Sequence, residues 1–184
     1  MLGEGPGRLL EALVQKMPSA DFVVVDQSQK MIAQAKRALS VSGFDSERIT
    51  WVHGDALDLG FETGSFDLVT TPFFLDCFTQ SQLSLLIPAL ANVCKPDAFW
   101  LLTDFQIPAT KGWQQARAKW IHWLMYLFFG KVTSIAAEKW IDPDGYLSAA
   151  GFELLSRKES DSGLIRSDVW QRGNESMAMR TGAI

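Results

Sequence analysis

Gly3-Glu4-Gly5-Pro6-Gly7 sets a glycine at every second position, directly ahead of Leu9, Leu10, Leu13 and Val14. The apolar spacing of those four predicts a helix that begins where the glycines end. Glycine is required where the backbone takes positive φ or must come into contact with a ligand. The first amides of the helix point back over that turn with a positive dipole end, so the turn favours an anionic group. Pro6 fits because its φ is fixed and the amide it lacks is not needed near a helix start. Two anion-binding fingerprints fail here. Counted from Gly3, the third glycine of Gly-x-Gly-x-x-Gly falls on Arg8, and counted from Gly5 it falls on Leu10. The Gly-Lys-Ser/Thr ending of the triphosphatase phosphate loop is absent as well.

Phe22-Val23-Val24-Val25 is a continuous β-branched run of the kind a parallel sheet buries on both faces. It ends in Asp26, 19 residues beyond Gly7. Doubly wound folds place the carboxylate that hydrogen-bonds a ribose at this distance. Two acceptor oxygens match a vicinal diol. The same residue also suits a plain cap on the following helix. Ser28 is the expected N-cap for the helix carrying Met31, Ile32, Ala35 and Leu39, and Gly43 its expected end.

With 184 residues and a net charge of −4, the chain suits one domain, and its interspersed charges exclude an electrostatic nucleic-acid partner. Cys77 and Cys94, 17 apart, lack metal or redox spacing and read as free thiols of a reducing compartment. No secretory signal is visible, and the run Trp120–Phe129 is too short to span a bilayer. A cytoplasmic location without stable membrane insertion is expected.

Further strands are read at Ile49–His53, Phe66–Thr71 and Phe99–Asp104, with a helix over Ser81–Val93 that Pro88 is expected to kink or split. A short helix from Asp142 to Ala150 precedes a strand entered at Gly151-Phe152. Leu164–Gln171 is expected to return as an antiparallel edge strand. The first strand pair leads into Gln27 and into Gly54-Asp55-Ala56, while Thr71 opens into Pro72-Phe73-Phe74-Leu75-Asp76-Cys77. These are strand carboxyl ends, where open α/β sheets bind ligands. His53 reads as a structural histidine. Asp76 is a candidate base or a helix cap, and Asp104 closes its strand on the same side.

Gly3-x-Gly5-x-Gly7, followed by Asp26, Gly54-Asp55-Ala56, Phe66-Asp67-x-Val69, Cys94-Lys95-Pro96 and Gly151-Phe152, resembles the motif order of class I S-adenosylmethionine-dependent methyltransferases, from Gly3 to Gln171. Asp97-Ala98 replaces the two glycines usual after Lys-Pro, which bears on the turn type only. The resemblance implies an α/β fold: a doubly wound, Rossmann-like, mostly parallel sheet with an antiparallel last strand and a helical cap insertion. Residues 1–172 would form the domain, about 108–140 the insertion, and 173–184 a polar tail. S-adenosyl-L-methionine would be the cofactor. Gly3, Glu4, Gly5 and Gly7 would face its amino-acid end, and Asp26 with Gln27 and Met31 its ribose. Gly54, Asp55 and Ala56 would meet the adenine, and Thr71, Pro72 and Phe73 the methyl-bearing end. The acceptor would be a small, largely apolar molecule. Phe74, Trp113, Trp120 and Trp123 would line its pocket, and Asp76 and His122 would be the weak candidates for a base. Residues 113–129 read equally as core, and membrane-surface contact is a third reading. A non-catalytic cofactor-binding or scaffold protein and a nicotinamide-dependent reductase are the alternatives.

The family's glycine loop follows a central strand, between those read here as Phe22–Val25 and Phe66–Thr71. Only Met1 and Leu2 precede Gly3, and a strand takes about five residues. The gap would close up, be filled by a partner chain in an oligomer, or mark an N-terminal truncation. The truncation is favoured, with poor stability and weak cofactor binding expected.

Overall fold

The computed structural model describes residues 1–173 apart from 43, 45, 46, 59, 109–111, 119 and 122–139. Gly43, His122, Trp123 and the tail beyond 173 therefore lie outside the described residues.

Strands and helices alternate through the first half. Helix α1 (Arg8–Lys16) is followed by β1 (Phe22–Asp26), α2 (Gln29–Val41), β2 (Ile49–His53), β3 (Phe66–Pro72), α3 (Gln80–Asn92) and β4 (Cys94–Phe105). After the insertion come α4 (Asp144–Ala149), β5 (Phe152–Ser160) and β6 (Ile165–Arg172). β1 and β2 pair in parallel as a two-stranded sheet, and β3, β4, β6 and β5 form a second sheet in that order. β3 and β4 are parallel, and β6 runs antiparallel to both its neighbours.

The α/β class and mostly parallel sheet agree with the sequence reading, with one correction of order. β6 is not an edge strand. It lies between β4 and β5, and β5 takes the edge with exposed residues along its length after Phe152. Arg166, Asp168 and Trp170 of β6 are all buried, in keeping with an interior strand. Pro88 gives a second correction. α3 runs through it without a split. Proline removes one hydrogen bond, and Ser84, whose carbonyl is released, sits on the solvent face where water can replace it. α3 starts one residue earlier than expected, on a capping box formed by Thr79 and Gln82. Asp97 adopts φ 63, the left-handed conformation that a glycine takes easily.

Between β1 and β3 lie residues 1–3 alone. The Val25 amide donates to the Met1 carbonyl (2.9 Å), the Gly3 amide to Val25 (3.1 Å) and the Leu2 amide to Thr70 (3.0 Å). Beneath these bonds, at the amino ends of the strands, opens a cavity of about 770 Å³ lined by Met17, Phe22, Val23, Phe66 and Leu68 among others. The main core packs α3 against β3 and β4 around Trp100, Leu86 and Ile87, all at zero exposure. A smaller cluster, Leu10, Val14, Val24 and Leu39, holds α1 and α2 to β1.

Candidate active site

Gly3, Gly5 and Gly7 all have positive φ, between 61° and 92°. Gly7 is the N-cap of α1 and has no side chain with which to cap it. Glu4 supplies the missing acceptor, its Oε1 accepting from the Leu10 amide at 2.8 Å. Glu4 does not line the cleft at the strand ends. It is turned inward, and burial pushes its carboxyl above the usual range against the pull of the Leu10 and Leu9 amides. A Cβ at Gly3 would lie 2.5 Å from the ring of Phe74, so glycine lets the loop after β3 close on the first loop. A Cβ at Gly5 would meet nothing within 4 Å. The first loop thus leaves open space for a ligand where it needs to.

Asp26 ends β1, and its Oδ1 accepts from the Ser28 amide at 2.7 Å. Ser28 in turn caps α2 through the Met31 amide. Asp26 fixes this turn with one oxygen and also stands on the cleft wall. At the end of β2, Asp55 Oδ1 accepts from the Leu57 amide at 2.9 Å. His53 Nε2 meets the Gln27 carbonyl at 3.0 Å, a structural role as expected.

Past β3, Phe73 adopts φ 50 and its amide donates to the Thr103 carbonyl at 2.6 Å. Its ring packs on Phe105 at 4.9 Å, and Phe74 meets Phe78 edge-on at the same separation. A short turn, Leu75–Cys77, then leads to α3.

These pieces converge on one cleft of about 230 Å³ at the strand carboxyl ends. It is lined by Gly3, Asp26, Gln27, Gly54, Asp55, Ala56, Phe73 and Phe74, together with Leu2, Val25, Cys77 and Phe78. The last four were not anticipated. Their signal was the apolar character of positions flanking each motif. Gly5, Gly7, Met31, Thr71 and Pro72 do not line it. Thr71 lies buried beneath, its Oγ1 accepting from Trp100 Nε1 at 2.9 Å. The larger cavity at the opposite strand ends holds none of the residues expected to face the cofactor, although Phe66, Asp67 and Lys95 of the later motifs line it.

Cys77 is half-buried, not buried like Cys94. Burial and the neighbouring Asp76 push its thiol far up, disfavouring the reactive thiolate. Residues 113–118 are helical, and Trp113 and Trp120 are 66% and 60% exposed. Neither ring belongs to the core. Among the described residues no group of three or more metal-ligating side chains occurs, and no helix is long and apolar enough to cross a membrane.

A methyltransferase-domain family model matches residues 1–97, more than half of the chain. The chain belongs to the methyltransferase-domain family, and it is an enzyme of that class. An uncharacterized methyltransferase of Synechocystis is 29% identical over 176 residues, covering 94% of this chain and 74% of that protein. A demethylmenaquinone methyltransferase of Bacillus cytotoxicus is 27% identical over 154 residues, or 83% of this chain. The chain spans 62% of that relative's length. The crystal structure of a methyltransferase from Methanosarcina mazei, titled SAM-dependent, superposes with a TM-score of 0.67 at 17% identity, covering 95% of this chain and 91% of its own. That likeness bears on the fold. The family implies S-adenosylmethionine as cofactor, and the open glycine turn with two carboxylates on one cleft fits it.

Proposed function

We propose that the chain transfers a methyl group from S-adenosylmethionine to a small, largely apolar acceptor by in-line displacement. One observation carries this reading. The cleft that gathers Gly3, Asp26 and Asp55 continues into a wall of Phe73, Phe74, Cys77 and Phe78. Polar groups at one end and aromatic surface at the other suit a polar cofactor meeting an apolar partner.

The cofactor supplies an electrophilic methyl on a sulfonium. The residues of the chain bind and orient. The open first loop receives the amino-acid end, and Asp26 offers an oxygen to the ribose diol. Asp55 addresses the adenine amine, with Ala56 beside the ring. The faces of Phe73 and Phe74 favour a sulfonium cation. Holding the two reactants aligned and dry supplies most of the rate. The insertion at about 108–140, with Trp113, Trp120 and Trp123, covers the acceptor in this proposal.

The Bacillus relative's name, demethylmenaquinone methyltransferase, supports an aromatic or quinol-like acceptor. A nicotinamide reductase is disfavoured by the failed third glycine. Calorimetry with S-adenosylmethionine and NADH, together with metabolite profiling under an isotopically labelled methyl donor, tests the reading. S-adenosylmethionine binding with label transfer to an apolar metabolite is expected. NADH binding alone would point to the reductase, and cofactor binding without any transfer would point to a scaffold.

A further inference from the structure

Asp104 lies near the end of β4, and Arg166 stands directly opposite it on β6. Both are almost wholly buried, at 2% and 1% exposure. They form the floor under the turn Leu75–Cys77. The Asp76 amide donates to Asp104 Oδ2 at 3.2 Å. The Asp76 carboxyl is also near enough to disfavour ionisation of the Asp104 carboxyl. Asp104 Oδ1 and the Nε and Nη2 atoms of Arg166 are buried without a hydrogen-bond partner. Arg166 Nη1 is taken by Asp142 (3.2 Å) and Asp144 (2.9 Å), and Asp168 Oδ2 lies 3.7 Å from its Nε. Arg157 neutralises Asp144 and Asp168 from β5.

A carboxyl removed from water beside a second carboxyl does not ionise independently of it. Burial first, then the charge and hydrogen bond of Asp76, hold the Asp104 carboxyl well above the usual range, with Arg166 pulling the other way. The pair adjoins the cleft wall without lining it. Cys77, on the cleft wall, has its Sγ 3.5 Å from Asp76 Oδ1. Among the described residues, the charged and titratable groups facing the pair are Cys77 and Arg166.

We propose that Asp76 and Asp104 share one proton, and that Asp76 takes the proton of a hydroxyl acceptor while Asp104 positions it. This rests on the methyl-transfer reading above. As the acceptor oxygen bonds to the methyl carbon, the sulfur–carbon bond breaks and its electron pair stays on sulfur. The hydroxyl proton passes to Asp76, and the pair goes from one proton to two. The sulfonium loses its positive charge as the pair loses its negative one, so net charge in the cleft does not change. The pair then returns the extra proton to water. General-base help of this kind is worth roughly 10²–10⁴-fold.

Two measurements test this on the whole chain. Infrared spectra of protein labelled with carboxyl-¹³C aspartate, from pH 5 to pH 9, should show a protonated carboxyl at pH 7 in the wild type and none in Asp104→Asn. With 1,4-naphthalenediol as acceptor, Asp76→Asn should lower kcat by about a hundredfold or more while S-adenosylmethionine affinity is kept. Asp104→Asn should keep that affinity and lose the alkaline limb of the pH profile, which reports departure of the shared proton. A merely structural Asp104 would leave the limb in place. No protonated carboxyl at pH 7 in the wild type, or a wild-type kcat in Asp76→Asn, overturns the proposal. A wild type that binds cofactor but methylates neither this diol nor any other hydroxyl acceptor counts against the reading of function, and the infrared band still decides the pair.

Discussion

The two-stranded sheet β1–β2 and the four-stranded sheet β3–β4–β6–β5 carry different burdens. The first holds two of the three cofactor motifs on a small cluster of six buried residues. The second holds the main core, with Trp100 at zero exposure and Phe152 edge-on to its ring at 5.4 Å. It is also clipped by ion pairs of Arg157 and Arg166 to Asp144 and Asp168. Four main-chain hydrogen bonds of residues 1–3, the Met1 amino group donating to the Val23 carbonyl among them, stitch the halves together, while the other end of the seam is a cavity. The larger buried core lies in the second half, while the cleft draws its lining from both. Low-stability segments are where ligand-binding elements are commonly found.

The largest effect should come from Trp100→Ala. It removes a buried indole and its bond to Thr71, at a cost of about 3–5 kcal/mol by urea unfolding. Val24→Ala in β1 removes only two methyl groups, and about half that cost is expected. Asp144→Asn comes next. Burial works against ionisation of Asp144, but Arg166 and Arg157 hold its carboxyl below the usual range. A lowered native pKa contributes stability above the unfolded value of about 4, lost as pH falls through the native one. The variant should therefore lose about 1.5–3 kcal/mol at pH 7, and the difference should shrink toward pH 3 in melting curves.

Asp26→Ala moves the test to the other half. Loss of a charged hydrogen-bond partner costs on the order of 1.5–3 kcal/mol, about tenfold or more in S-adenosylmethionine affinity. The four-stranded half should be untouched in near-ultraviolet circular dichroism. The smallest effect on stability belongs to Trp120→Ala, since the ring is largely exposed: within about 0.5 kcal/mol. Its acceptor KM should nevertheless rise well beyond any change in cofactor KM. A drop in melting temperature with kinetics unchanged would make it a packing residue.

The cofactor side of the cleft was legible because its determinants are local. Asp26, Asp55 and Phe73 each follow a β-branched or apolar run whose end fixes their position, and glycine spacing marks the first loop. Glu4 is turned away from the cleft for an equally local reason. A glycine at the N-cap leaves α1 without a capping side chain, and the nearest acid turns inward to provide one. The order β4–β6–β5 was not legible, because it depends on which strand buries Arg166 and Asp168, a choice made between segments more than 50 residues apart. Nor was the pairing of Asp76 with Asp104, brought together across 28 residues.

The central claim is that the ligand binds at the strand carboxyl ends, across the seam between the halves. Hydrogen exchange of the chain with and without saturating S-adenosylmethionine tests it most directly. Added protection is expected in both halves at once, at residues 3–10, 26–31 and 54–57 in the first, and 73–78 in the second. Protection confined to Met17–Val23 and Ser65–Leu68, around the large cavity at the amino ends, would contradict it.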